Sequence, residues 1–139
     1  MTLSNAGDTR FGFTKLIVQD EEAMAAYYGA VYGLNRLHRV ESGDPAVMGR
    51  LREVIMGPGE SMGVESLTMI NFLDRPAPRD REVILGFITT DLDALAERVL
   101  AHGGKHVGPV REMPEHGVRV LFTSDPEGRL SENVEMMAR

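Results

Sequence analysis

A chain of 139 residues is long enough for one compact domain, or for two small modules that share a core. Hydrophobic residues at 42% and charged residues at 26% are ordinary for a globular protein, while a net charge of -6 and a pI near 5.2 speak against nucleic acid or an anionic membrane as partner, since both need a basic face. With no cysteine there is no disulfide and no thiolate chemistry, which fits a cytoplasmic protein, and any metal would rest on His, Asp or Glu. No apolar run of membrane-spanning length and no basic-then-apolar leader is visible.

Residues 1–10 are small and polar and read as a flexible arm. Residues 11–18 are rich in β-branched and aromatic types and predict a strand. Asp20 then caps a helix with Glu21 and Glu22 in its first turn, where the helix dipole favours negative charge. Met24, Tyr28 and Val31 recur at helical spacing as the buried stripe, with Tyr27 at its edge, and Gly33 marks the stop. Strands are predicted over 34–40, 50–56 and 67–73, separated by loops rich in Gly, Pro and Asp. Met48, Met56, Met62 and Met69 crowd this half, as gap-fillers of a core or of an adaptable pocket. The charged segment 74–81 holds two prolines and reads as a linker.

After the linker the same order returns. A strand over 83–89 leads to the cap Asp91 and a helix whose stripe is Leu92, Leu95, Val99 and Leu100, ended by Gly103 and Gly104. Strands over 105–110, 118–124 and 130–135 follow, the last two joined by the tight turn Asp125-Pro126-Glu127-Gly128. Asp91 follows Asp20, and Gly104 follows Gly33, at the same distance of 71 residues (91 − 20 and 104 − 33). A strand–helix–three-strand unit therefore occurs twice, over 11–73 and 82–139. Neither unit can bury both faces of its sheet alone, so the two are expected side by side with a shared concave surface.

The ordered set Leu16-Ile-Val-x-Asp20, Met24-Ala-Ala-Tyr-Tyr-x-x-Val-x-Gly-Leu34, Gly86-Phe-Ile-x-x-Asp-Leu-Asp-Ala-Leu95, Gly103-Gly104 and Phe122-x-x-Asp-Pro-Glu-Gly-x-Leu-x-Glu132 resembles the vicinal oxygen chelate superfamily of glyoxalase I, bleomycin-resistance proteins and extradiol dioxygenases. The resemblance covers residues 11–135 and implies an α+β fold in which two βαβββ modules curve a mixed sheet around a cup, with the helices outside. Members usually hold substrate and a divalent metal in that cup, on His or Glu from the first and last strand of each module. Those positions fall here on Phe13, Ile84 and Glu132, with the fourth on Met69 or Asn71. Three protein ligands are the minimum for Zn, Fe or Ni on N and O donors, so one carboxylate predicts no bound metal and no cofactor.

Strand parity puts Phe13, Lys15 and Ile17 toward the cup and Thr14, Leu16 and Val18 toward the helix; Glu132 faces inward with Leu130 and Val134. Phe13, Lys15, Met69, Asn71, Ile84, Gly86 and Glu132 are thus the expected lining. Glu132 beside Phe13 and Ile84 reads as a carboxylate whose pKa burial would raise, a general base or hydrogen-bond acceptor; the structural alternative is an ion pair with Lys15. Lys15 could itself receive an anionic ligand. Arg50 and Arg52 share a parity and, if turned to the cup, would also favour a carboxylate. His106 or His116 could join Glu132 in an unconventional metal site, His102 ends a helix, and Ser131 and Asn133 replace the apolar residues expected against the helix, predicting a less deeply packed last strand. The resulting expectation is a binder of a small, mostly apolar organic molecule, dimeric like the bleomycin-resistance branch; a lyase-like or dioxygenase-like enzyme using Glu132 as base is the alternative.

Overall fold

The computed structural model describes residues 7, 11–42, 49–61, 63–78 and 83–137. The arm expected over 1–10 (other than Gly7), Met48, Met62 and residues 79–81 of the expected linker lie outside these. Elements follow in the order β1 (Thr14–Ile17), α1 (Glu21–Tyr32), β2 (Asn35–Ser42), β3 (Leu51–Gly57), β4 (Leu67–Phe72), β5 (Leu85–Thr89), α2 (Leu92–Ala101), β6 (Lys105–Met113), a 3-10 turn (Pro114–His116), β7 (Val118–Ser124) and β8 (Leu130–Met136). The strands form two four-stranded sheets with the same plan, β1-β4-β3-β2 and β5-β8-β7-β6. In each, the first strand pairs in parallel with the last and the remaining pairs are antiparallel, so the twice-repeated βαβββ unit is the observed architecture.

Each helix begins on the predicted aspartate. Asp20 accepts a hydrogen bond from Ala23 N and Asp91 from Ala94 N, both 3.0 Å, each satisfying an N–H that the first turn leaves without a partner. Gly33 closes α1 at φ 73, a left-handed conformation that costs other residues about 1 kcal/mol or more. Met24, Tyr28 and Val31 are buried against the first sheet as their spacing requires, and Tyr27, expected at the edge, is buried too. In α2 Leu92, Leu95 and Val99 are buried, but Leu100 is 57% exposed, one position too far round the helix to reach the sheet.

The modules meet through their helices and the helix-facing sides of the sheets. The Tyr32 ring stacks on Phe87 of β5 at a centroid distance of 3.6 Å, and Leu95 and Val99 of α2 join the α1 core. Polar bonds cross the same seam: Tyr28 Oη donates to Asp125 Oδ2 and Tyr32 Oη to Asn133 Oδ1, both at 2.9 Å. Asn133 in turn donates to the Leu121 carbonyl and to Thr123 Oγ1. Asn133 is completely buried, so the last strand is packed as deeply as an apolar one; a satisfied polar network replaces the hydrocarbon the sequence lacks. The turn after β7 clasps the other module: Glu127 accepts from the backbone N–H groups of Gln19 and Asp20 at 2.8 and 3.0 Å, and Arg129 donates to the Ile17 carbonyl.

Candidate functional site

Pairing register sorts the side chains of each sheet into a face under the helices and a face away from them. On the first sheet the outer row through Lys15 runs Lys15, Thr68, Ile55, His38, and the next runs Ile17, Ile70, Glu53, Val40. On the second the matching row is Gly86, Glu132, Phe122, Val107, and the next is Ile88, Val134, Val120, Arg111. These two faces carry the cup positions. Apolar side chains on them are open in the single chain: Phe13 is 43%, Ile84 55%, Ile88 80% and Met136 62% exposed. An open groove of about 490 Å³ lies between the edge strands β1 and β5 and reaches Gly86 and Ile88 of the second sheet's face, with Thr14, Tyr32, Leu34 and Leu85 also in its lining.

Phe13 and Lys15 lie together on the first sheet, with the Lys15 ammonium 5.8 Å from the Phe13 ring centre. Gly86 and Glu132 are directly paired on the second, and Ile84 precedes them on the same face. Met69 and Asn71 are not on the cup face. Met69 packs under α1, and Asn71 donates to Glu21 Oε1 at 3.0 Å, because β4 turns Thr68 and Ile70 outward instead. The position equivalent to Glu132 in the first module is Thr68, since Lys15 pairs with Thr68 as Gly86 pairs with Glu132. The sequence alignment slips there because the connection over 58–66 is longer than its counterpart over 125–129.

Glu132 is half-buried, and among the described residues it makes no hydrogen bond or ion pair. Lys15 is not its partner: Nζ lies 3.0 Å from Glu53 Oε2, a carboxylate with a side chain only 9% exposed. Glu132 is left among Gly86, Phe122, Leu130 and Val134, and a Cβ built on Gly86 would meet nothing within 4 Å. Arg50 and Arg52 do not serve the cup. Arg52 turns under α1 to Glu21 at 3.4 Å, and Arg50 pairs with Asp74 at 2.6 Å at the end of the sheet. His106 faces α2, with Nε2 2.9 Å from the Ala96 carbonyl, on the opposite side of the sheet from Glu132, and His116 sits exposed in the 3-10 turn.

The strongly perturbed groups lie at the seam rather than in the cup. Burial pushes the Tyr27, Tyr28 and Tyr32 hydroxyls up, and the Asp125 carboxylate beside Tyr28 adds to the effect there. At the entrance to α1 the opposite holds: hydrogen bonds from Arg36 and Arg39 hold Glu22 below its usual range. These groups knit modules and helix ends together; none faces the open side of either sheet.

The donor set at the four chelate positions is one carboxylate, one hydroxyl and two hydrocarbons: Glu132, Thr68, Phe13 and Ile84. A divalent transition metal on N and O ligands needs three or more donors, and these residues do not fit one. Sequence reasoning missed Glu53 and Thr68. Thr68 lies on a strand buried on both faces, which apolar patterning cannot orient, and Glu53 meets Lys15 only through the register across that strand.

The fold recurs in solved structures. A glyoxalase family protein from Bacillus cereus superposes with a TM-score of 0.81 at 19% identity, covering 97% of this chain and 100% of that one. A glyoxylase/bleomycin resistance protein/dioxygenase domain from Frankia sp. matches at TM-score 0.69 and 20% identity over 97% and 93%. A fosfomycin resistance protein from Listeria monocytogenes, solved with Mn(II) and sulfate, matches at 0.65 and 15% over 91% and 92%. No family model and no curated protein matches the sequence.

Proposed function

We propose that this chain, which has the two-module vicinal oxygen chelate fold, binds a small, mostly apolar organic molecule in its cup without the metal usual for that fold. The observation that carries this reading is the second sheet's open face, where Ile84, Ile88, Phe122, Leu130 and Val134 surround the carboxylate of Glu132, which has no partner among the described residues. Apolar walls supply most of the affinity at about 25 cal/mol per Å² of area buried, and the carboxylate orients one polar group of the ligand. The molecule works as a homodimer: the exposure of Phe13, Ile84, Ile88 and Met136 supports a second copy covering the rims of the cup.

The lack of a partner for Glu132 among the described residues also favours a second reading, an enzyme of lyase or dioxygenase type with Glu132 as general base. One pair of variants separates the two. The empty space above Gly86 accommodates a larger side chain without a clash, so Gly86→Leu fills the cup in a folded protein and abolishes binding of a neutral apolar dye such as Nile red. Glu132→Gln changes only ligand affinity if the chain is a binder, and abolishes turnover at unchanged fold if it is an enzyme. Unchanged dye binding by both variants would remove the cup as the site.

A further inference from the structure

The first sheet's cup face carries a polar cluster that the apolar pocket does not require. Lys15 stands on β1 and Glu53 on β3, so their 3.0 Å ion pair spans β4, which lies between them. The residues of β4 beneath that span are Thr68, opposite Lys15, and Ile70, opposite Glu53. Both are buried, and the Thr68 hydroxyl has no hydrogen-bond partner among the described residues. A buried hydroxyl without a protein partner is a cost, and a ligand oxygen placed over it is an acceptor that would offset that cost.

Resting on the cup-binding reading, we propose that Lys15, Glu53 and Thr68 form an anchor for a neutral carbonyl group of the ligand, as in an amide or ketone. The donors set the chemistry. Among the described residues Thr68 has one free O–H, and the ammonium of Lys15, with one bond to Glu53, has two protons left. All three offer hydrogen to an acceptor oxygen. The charge sets the selectivity: Glu53 already neutralises Lys15, so a carboxylate placed there would meet a mostly buried negative charge, whereas a carbonyl brings none. Lys15 is the movable part, a long side chain one-third exposed whose tip can shift toward the ligand oxygen while it keeps its bond to Glu53.

The test uses benzamide and benzoate as matched neutral and anionic probes at millimolar concentration, read by amide proton–nitrogen NMR of the full chain. Benzamide is expected to shift and saturate the signals of Lys15, Thr68 and Glu53, with benzoate several-fold weaker at the same residues. Thr68→Val keeps the shape and removes the unpaired hydroxyl, so its melting temperature stays equal or rises while benzamide binding weakens by about three- to tenfold. Thr68→Ser restores the hydroxyl and the binding. Benzoate binding at these residues as tightly as benzamide, or Thr68→Val binding benzamide unchanged, would overturn the anchor. Shifts confined to Gly86, Phe122 and Glu132 would overturn the anchor and leave the cup reading standing; shifts on neither sheet would overturn both.

Discussion

Gly104 sits directly against Tyr27 of the other module, and Gly104→Ala measures how tightly this part of the seam is packed. A Cβ at this position would lie 2.6 Å from Tyr27 Oη, 2.8 Å from the Ser124 carbonyl oxygen and 2.8 Å from Val99 Cγ1, all inside any contact that real Cβ atoms make. The three neighbours belong to α1, β7 and α2, so no single small rotation relieves them. Tyr27 is buried, and the Ser124 carbonyl is backbone in a strand paired on both sides. Replacing glycine by alanine lowers the entropy of the unfolded chain, a gain of about 0.4–1 kcal/mol, but overpacking of this kind costs about 1–3 kcal/mol. Three overlaps at once, two of them on buried or backbone atoms, put the cost in the upper part of that range, so the net loss is about 1–2.6 kcal/mol, a melting temperature lower by about 3 to 10 °C for a chain of this size. Scanning calorimetry of Gly104→Ala beside Gly86→Ala checks it, since a Cβ at Gly86 meets nothing and that variant melts at or slightly above the parent. Tyr27→Phe in the Gly104→Ala background removes the nearest of the three atoms and recovers part of the loss. A Gly104→Ala protein as stable as the parent would refute the close inter-module contact on which the account of the seam depends.

Raised tyrosine pKa values make stability pH-dependent on the alkaline side. The folded values of Tyr27, Tyr28 and Tyr32 lie above the unfolded value near 10, so their contribution is complete below about pH 10 and is lost as pH rises beyond it, at up to about 1.4 kcal/mol per pH unit for each residue. Denaturant midpoints between pH 8 and 11 should fall steeply above 10, and Tyr28→Phe should flatten the fall by about one proton. Glu127→Ala removes the acceptor of two backbone N–H groups at the entrance to α1 and should cost about 1–2 kcal/mol in chemical denaturation, with hydrogen exchange accelerated first at Gln19 and Asp20.

Most of the fold was legible in the sequence because local rules coincide with the global plan. Asp20 and Asp91 each sit at a helix start, the glycines sit at helix ends, and alternation along residues 13–18 gives the correct faces. The limits are equally physical. In β4 every residue from Leu67 to Phe72 is buried, so no apolar–polar alternation marks its faces, and Met69 and Asn71 were assigned to the wrong one. Lys15 was readable as a partner for an acid, but its acid is Glu53 on β3 rather than Glu132, because spatial neighbours across a sheet follow register rather than sequence separation. Asn133 looked like a weakness in the last strand because composition shows a polar residue without showing that Tyr32, Thr123 and a backbone carbonyl satisfy it.

The central claim, a ligand cup that operates without a metal, is tested most directly by elemental analysis of the tag-free protein after incubation with Zn, Ni, Fe(II) and Mn and removal of unbound ion. The account predicts far less than one metal per chain for all four, with dye binding in the cup unaffected by a chelator. Retention near one metal per chain, lost in Glu132→Gln, would contradict it and make the lyase and dioxygenase chemistries the ones to assay.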